Sequence, residues 1–299
     1  MAALVLPFAI KTIFIESLIK LDRLAPQVDL VTYQEPPCVG ENPGQTTAVF
    51  MENGMFRTWY ELNSRSRLPR NHPHSVPFDS VVLDNITSGI VGFTTLFISG
   101  GTLQDMNATK RRFCLRWFQH LISMVDDLNY NYGIMHQDIA ARNLVIDEEG
   151  NLRIFDFNFA IMIDKHYTPH RDGTKGVIFT LYEIITLDEH FRQLPHEEQD
   201  AESLLRMEWT KHPEVQLDSS IRAFRSALDA WVAKRKGKTF EYVDTWVQWP
   251  KMPKPPLGPV LAYGPNGEVI GKEMKHVPVL VRKQLAQLGE PYFNWERPA

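Results

Sequence analysis

Residues 133–160 hold an ordered set of chemistry-bearing side chains: His136-Gln137-Asp138, then Arg142-Asn143, then Asp156-Phe157-Asn158. Carboxylate and amide oxygens are the donors that a hard divalent cation such as Mg²⁺ prefers. A carboxylate beside a hydroxyl can orient it or accept its proton. Add a fixed positive charge, and the set contains what transfer of a phosphoryl group requires.

Such a set works only if the chain brings its members together. The segment 109–128 places Phe113, Trp117, Leu121, Met124 and Leu128 on one helical stripe, which predicts a long amphipathic helix ahead of the motif. Strands at 144–146 and 152–155, joined by a turn at 147–151, predict a hairpin that returns Asp156 towards Asn143. An apolar helix follows at 176–186. Upstream, the pattern predicts strands at 28–33, 46–51, 76–83 and 90–97, and a helix at 56–68 carrying Glu61 beside Trp59 and Leu62. Downstream, Ile221, Phe224, Leu228 and Trp231 mark a further helix, capped by Asp218 or Ser219. Five prolines in 250–259 interrupt the chain before a turn at 264–267 and a last helix at 279–288. These features predict an α+β chain in three parts: a small strand-rich part at 1–95, a larger helical part at 96–249, and a Pro-rich strap with a C-terminal extension at 250–299.

Composition narrows the function classes. With 43% hydrophobic and 23% charged residues among 299, the chain can bury a normal core and is neither disordered nor fibrous. A net charge of −4 offers no basic field, so nucleic acid is not an expected partner. Two cysteines, Cys38 and Cys114, exclude a disulfide framework and a four-cysteine zinc site, which favours a reducing compartment. The apolar run 2–10 lacks a basic n-region and meets Lys11 and Glu16, so neither a signal peptide nor a membrane span is expected. Cytoplasm or nucleus is the expected location.

The motif H-Q-D-I-A-A-R-N followed by D-F-N resembles the protein-kinase catalytic loop H-x-D-x-x-x-x-N and its later D-F-G. Other segments fall in the same order. Gly100-Gly101-Thr102-Leu103 resembles the G-G-x-L after the kinase hinge, His72-Pro73-His74-Ser75-Val76 the H-P-N-I-V after the αC helix, and Leu181-Tyr182-Glu183 the L-Y-E of the αF helix, with Asp172 near its start. The set is similar to a fungal kinase-like family with a tyrosine-kinase-style I-A-A-R-N loop, over about residues 70–183. The resemblance implies a two-lobed protein-kinase-like fold that binds ATP and Mg²⁺ and phosphorylates a protein substrate. It makes Asp138 the base, Asn143 and Asp156 the Mg²⁺ ligands, and His136 a structural residue. Thr95 becomes the gatekeeper, Leu96 to Ile98 the hinge facing adenine, and Glu61 the αC glutamate. Arg142 stands where a cation could serve the γ-phosphate; the rival role is a salt bridge to a loop carboxylate.

The chain departs from the family pattern in several places. No G-x-G-x-x-G is present; Gly40 and Gly44 flank only E-N-P. In Ala48-Val49-Phe50-Met51, methionine falls where V-A-I-K would end. Phe8-Ala9-Ile10-Lys11 fits that pattern but lies far upstream, so Lys11 is either a phosphate lysine or a charge snorkelling from an apolar segment. D-F-G reads D-F-N, where asparagine can supply a positive φ. No A-P-E separates Asp156 from Asp172, and Gln137 replaces the arginine of H-R-D. A pseudokinase scaffold and a small-molecule kinase are therefore the rival readings. The Pro-rich segment 250–259 is either a strap buried under Trp246, Trp249, Tyr292, Phe293 and Trp295 or a ligand for an SH3-type partner.

Overall fold

The computed structural model describes residues 11–26, 28–34, 45–52, 56–85, 90–162, 173–195, 197–236, 257–276 and 289. The apolar run 2–10, Cys38, the Gly40–Gly44 turn, Asp172, the helix expected at 279–288 and the aromatics flanking the Pro-rich segment lie outside them, as do residues 250–256. The fold is mixed α+β, with a strand-rich N-terminal part and helices later: the two-lobed protein-kinase-like class. It divides into two compact units, one of residues 1–62, 77–97 and 250–299, the other of 63–76 and 98–249.

The first unit is built on a six-stranded sheet. Its strands are β1 (Thr12–Phe14), β2 (Ile19–Ala25), β3 (Val28–Gln34), β4 (Gln45–Glu52), β5 (Phe78–Leu83) and β6 (Ile90–Leu96), in the order β1-β5-β6-β4-β3-β2. Every pairing is antiparallel except β1 with β5, where Thr12 faces Val81. The sheet buries apolar residues on both faces. Leu62 of α1 (Phe56–Arg65) packs with Val81 and Phe93; Ile15, Leu18, Val31, Tyr33 and Ala48 pack with Val82. Val81 and Val82 are consecutive, so the two clusters occupy opposite faces.

That parity decides the role of Lys11. Its ammonium donates to the Tyr33 hydroxyl at 2.9 Å and lies 3.5 Å from Asp79. Tyr33 Oη and Thr94 Oγ1 each donate to Asp79 Oδ2 at 2.6 Å. Burial, then the bond to Asp79, raises the pKa of Tyr33. Lys11 thus belongs to a polar network on the Tyr33 face, away from the face that carries Leu62 and its helix.

A hairpin of β11 (Leu257–Tyr263) and β12 (Val269–His276) groups with this unit, with its turn closed by Gly264 N donating to Glu268 O at 2.8 Å. The turn matches the sequence expectation; the strand through Pro259 extends into what the proline pattern marks as a break.

In the second unit, α2 (Leu115–Asp126) runs into a π turn at Asp127–Asn131. Then come β7 (Ile134–Met135), β8 (Leu144–Ile146), β9 (Leu152–Ile154), β10 (Ile161–Met162), α3 (Thr174–Thr186), α4 (His190–Gln193), α5 (Ala201–Arg206) and α6 (Ile221–Lys236). Trp117, Phe118, Leu121, Met124 and Leu128 form one core with Val177, Leu181, Phe224, Leu228 and Trp231. The long helix starts six residues later than its apolar stripe implies. Phe113 N donates to Gln216 O and Phe113 O accepts from Asp218 N, which removes the backbone groups an earlier turn would need. Asp218 Oδ1 then accepts from Leu115 N at the head of α2, while Ser220 Oγ accepts from Ala223 N at the head of α6. The cap expected from Asp218 or Ser219 is therefore supplied by Ser220.

Residues 72–76 run beside β9, with Val76 N donating to Ile154 O and Ile154 N to His74 O. This packs His74 against His120 at 4.4 Å between ring centroids, with His72 nearby. Donors from Leu152 N and Arg116 Nε face the two ring nitrogens of His120, so an added proton gains nothing there. Burial first, then His74 and Arg116, hold its pKa down to about 4, and burial also lowers His72 and His74. A folded pKa below the unfolded one means stability that is present above about pH 6.5 and lost as pH falls towards 4. The urea midpoint is expected to fall between pH 7 and about pH 4.5, and to fall less in His120→Gln; equal slopes would show that this cluster is not the acid-labile element.

Candidate active site

β7 delivers the chain to His136, which is almost wholly buried. Its Nδ1 accepts from Asp138 N at 3.3 Å, so Nε2 carries the proton and donates to Phe155 O at 3.0 Å. Burial lowers its pKa to about 4, keeping the ring neutral and the tautomer fixed. The ring also packs on Phe157 at 4.7 Å. His136 thus ties the loop carrying Asp138 to the segment carrying Asp156, the structural role expected of it.

The carboxylate of Asp138 is held by two donors. Asn143 Nδ2 donates to Asp138 Oδ2 at 2.9 Å and to Asp138 O at 2.8 Å, and Arg142 pairs with Oδ1. Asn143 Oδ1, turned away by this commitment, accepts no hydrogen bond among the described residues. The carboxylate that Arg142 pairs with is thus Asp138 itself. With its side chain 49% exposed, the guanidinium still reaches solvent.

The β8–β9 hairpin pairs Leu144 with Ile154, and Phe155 N donates to Asn143 O at 3.1 Å. Asp156 therefore adjoins Asn143, as the hairpin pattern implies. Asp156 has φ 61° and Gln137 φ 65°, both in the left-handed region. Non-glycine residues pay on the order of 1–2 kcal/mol there, a cost that local bonding must offset. The left-handed residue of D-F-N is thus the aspartate, and Asn158 does not take that role.

The turn Gly100-Gly101 has φ of 102° and 76°, which explains two glycines in succession. Leu103 N then donates to Leu144 O at 2.8 Å, anchoring this turn to β8. Thr95 is buried on β6, in register with Val49 and Phe78, and Met51 is in register with Phe93. The Leu96 N–H is spent on Pro77 O and that of Phe97 on Thr47 O. Of the expected hinge, Ile98 is the residue whose amide has no partner among the described residues. Glu61 is buried on α1, with 2% exposure.

Sequence reasoning misses the residues behind the loop. Thr180 and Arg192 converge on Ile139 O, and Gly176 packs so tightly that an added Cβ would come 2.9 Å from Ile139 Cβ. Gly176→Ala is expected to cost about 1–3 kcal/mol by overpacking, read as a lowered urea midpoint. An unchanged midpoint would mean that Ile139 yields freely. Arg65 is buried as well, donating to Val76 O at 3.1 Å and lying over the Phe157 ring. None of these positions carries a spacing signal.

Mg²⁺ tolerates one or two carboxylates completed by phosphate oxygens and water. The free amide oxygen of Asn143 and the carboxylate of Asp156 fit that donor set. Among the described residues no group of three or more His, Cys, Asp or Glu gathers to hold a metal ion, and no helix is long and apolar enough to cross a membrane.

Curated proteins similar to part of this chain include kinases. A CBL-interacting serine/threonine-protein kinase 16 of Arabidopsis thaliana is 30% identical over 137 residues, 44% of this chain and 28% of its own length. The serine/threonine-protein kinase KIN4 of Saccharomyces cerevisiae is 32% identical over 35% of the chain and 13% of its own. The chain is similar to protein kinases. A putative sperm motility kinase W of Mus musculus adds 35% identity over 30% of the chain and 18% of its own length. The matched stretch thus spans less than a third of each of these relatives. No protein-family profile matches the chain.

Proposed function

We propose that the chain is an ATP-dependent, protein-kinase-like phosphotransferase that moves the γ-phosphate of ATP to a protein hydroxyl. The carrying observation is the Asp138 carboxylate, pinned through both oxygens by Asn143 and Arg142, while the backbone carbonyl of Asn143 accepts from Phe155 N, the residue before Asp156. Asp138 orients the acceptor hydroxyl and takes its proton. Arg142 fixes Oδ1 and adds positive charge next to the transferring group. Asn143 Oδ1 and Asp156 would hold Mg²⁺, which when bound neutralises charge on the phosphate oxygens. Thr95 and Ile98 would line the adenine side, with Leu96 contributing its side chain. The I-A-A-R-N wording supports a place in the fungal kinase-like lineage; the curated relatives are serine/threonine kinases, so the acceptor residue type is open to either class.

A second reading, a scaffold that keeps the fold and turns over little, is favoured by one observation. Met51 stands where the phosphate lysine belongs, and Lys11 is engaged with Tyr33 and Asp79. Titration of ATP into the full chain with and without Mg²⁺ separates the two. The enzyme reading expects Mg²⁺-enhanced binding followed by ADP release; the scaffold reading expects no ADP.

A further inference from the structure

We infer that Arg192 is the positioning residue for the loop that carries Asp138, acting through the Ile139 carbonyl. This rests on the reading of Asp138 as the base. Ile139 directly follows Asp138 and is buried, so its carbonyl requires a donor from within the protein. Two side chains reach it: Thr180 Oγ1 at 3.0 Å and Arg192 Nη1 at 3.2 Å.

The two donors are not equivalent. A hydroxyl has one proton, and Thr180 Oγ1 also lies 2.7 Å from Gly176 O, one turn back along α3. When that proton satisfies Gly176, Ile139 depends on the guanidinium. Arg192 cannot divert its Nη1 in the same way, because its other nitrogens are already used. Nε donates to Glu183 Oε1 at 2.6 Å and Nη2 to Thr180 Oγ1 at 3.1 Å. The guanidinium also lies 5.5 Å over the Phe179 ring. Planar geometry with three fixed directions is the property that lysine lacks.

The side chain of Ile139 is gripped from the same helix. An added Cβ at Gly173 would approach Ile139 Cδ1 to 2.9 Å, and one at Gly176 would meet Ile139 Cβ at 2.9 Å. The loop is therefore set from below by α3 and α4, while Asn143 and Arg142 set the carboxylate from above. The chain between Asp156 and Asp172 is short and has no A-P-E, so α4, immediately beyond α3, supplies a brace for the loop from a different part of the sequence.

Arg192→Ala and Arg192→Lys, made in the full chain, test this. Amide exchange of the peptide 136–143 is expected to rise roughly tenfold in Arg192→Ala, with α6 unchanged. Turnover is expected to fall by a similar factor at unchanged KM for ATP, because the loop positions the base and does not bind the nucleotide. Arg192→Lys keeps the charge opposite Glu183 and is expected to show the same split in milder form; it carries the test if Arg192→Ala fails to fold. Wild-type exchange in 136–143 for the folded variant would overturn the inference. So would a change spread equally over α6, or a KM that rises while kcat holds. If the wild-type chain transfers no phosphate, the reading of Asp138 fails, and the exchange data alone still decide whether Arg192 holds the loop.

Discussion

Asp138→Asn is expected to lower phosphoryl transfer about 10²–10⁴-fold while nucleotide binding stays near wild type. The substitution keeps the shape of the side chain and removes the ability to take a proton. One oxygen remains to accept from Asn143 Nδ2 or from Arg142, so the loop keeps a partner for its geometry. The ion pair it breaks is half in solvent on the Arg142 side, and such pairs contribute only about 0–1 kcal/mol to stability. Activity and fold are therefore separable in this variant. Steady-state transfer, read beside a nucleotide titration and a thermal melt, checks it. Full transfer in Asp138→Asn would mean that another group is the base.

Asp156→Asn is expected to remove most of the effect of Mg²⁺. A carboxylate ligand supplies charge that an amide cannot, and loss of metal-assisted charge stabilisation is worth about 3 kcal/mol, or roughly 10²-fold. Asparagine is the right replacement because Asp156 sits at φ 61° and asparagine tolerates that region better than most residues. Alanine would add backbone strain and confuse the result. The measurement is ATP affinity as a function of Mg²⁺ in the wild type and the variant. An unchanged Mg²⁺ dependence would exclude Asp156 as a ligand.

What the sequence makes legible is local. The hairpin at β8–β9 shows in two short strand-forming runs around a polar turn, and with it the return of Asp156 towards Asn143 follows from chain geometry. α3 shows in the largely apolar stretch 176–186, although the helix opens two residues earlier, at Thr174. β2 does not show, because Lys20, Asp22 and Arg23 interrupt it and Leu21 and Leu24 are exposed; an edge strand has one neighbour and little burial to record in its pattern. β1 is too short for a period.

The partners of single side chains are the least legible. Lys11 matches a kinase-like tetrapeptide, yet its ammonium meets groups 22 and 68 positions away on the Tyr33 face. Glu61, which the resemblance makes the αC glutamate and the helix pattern alone an exposed carboxylate, is buried in the fold. Arg192 meets the carbonyl of a residue 53 positions earlier. Such contacts depend on tertiary packing, which no spacing rule encodes. The Arg142–Asp138 pair lies between these limits. Its spacing of four allows the contact, and the loop's turn at Ala141–Asn143 carries the guanidinium to Asp138.

The central claim is that Asp138, Asn143 and Asp156 form a working phosphoryl-transfer site. Its most direct test is transfer of labelled γ-phosphate from ATP to a panel of protein acceptors by the full chain, in Mg²⁺ and in chelator. The account predicts labelled acceptor in Mg²⁺, none in chelator, and none with Asp138→Asn. Tight Mg²⁺-ATP binding with no label on any acceptor and no ADP formed would contradict it and make the scaffold reading the better one.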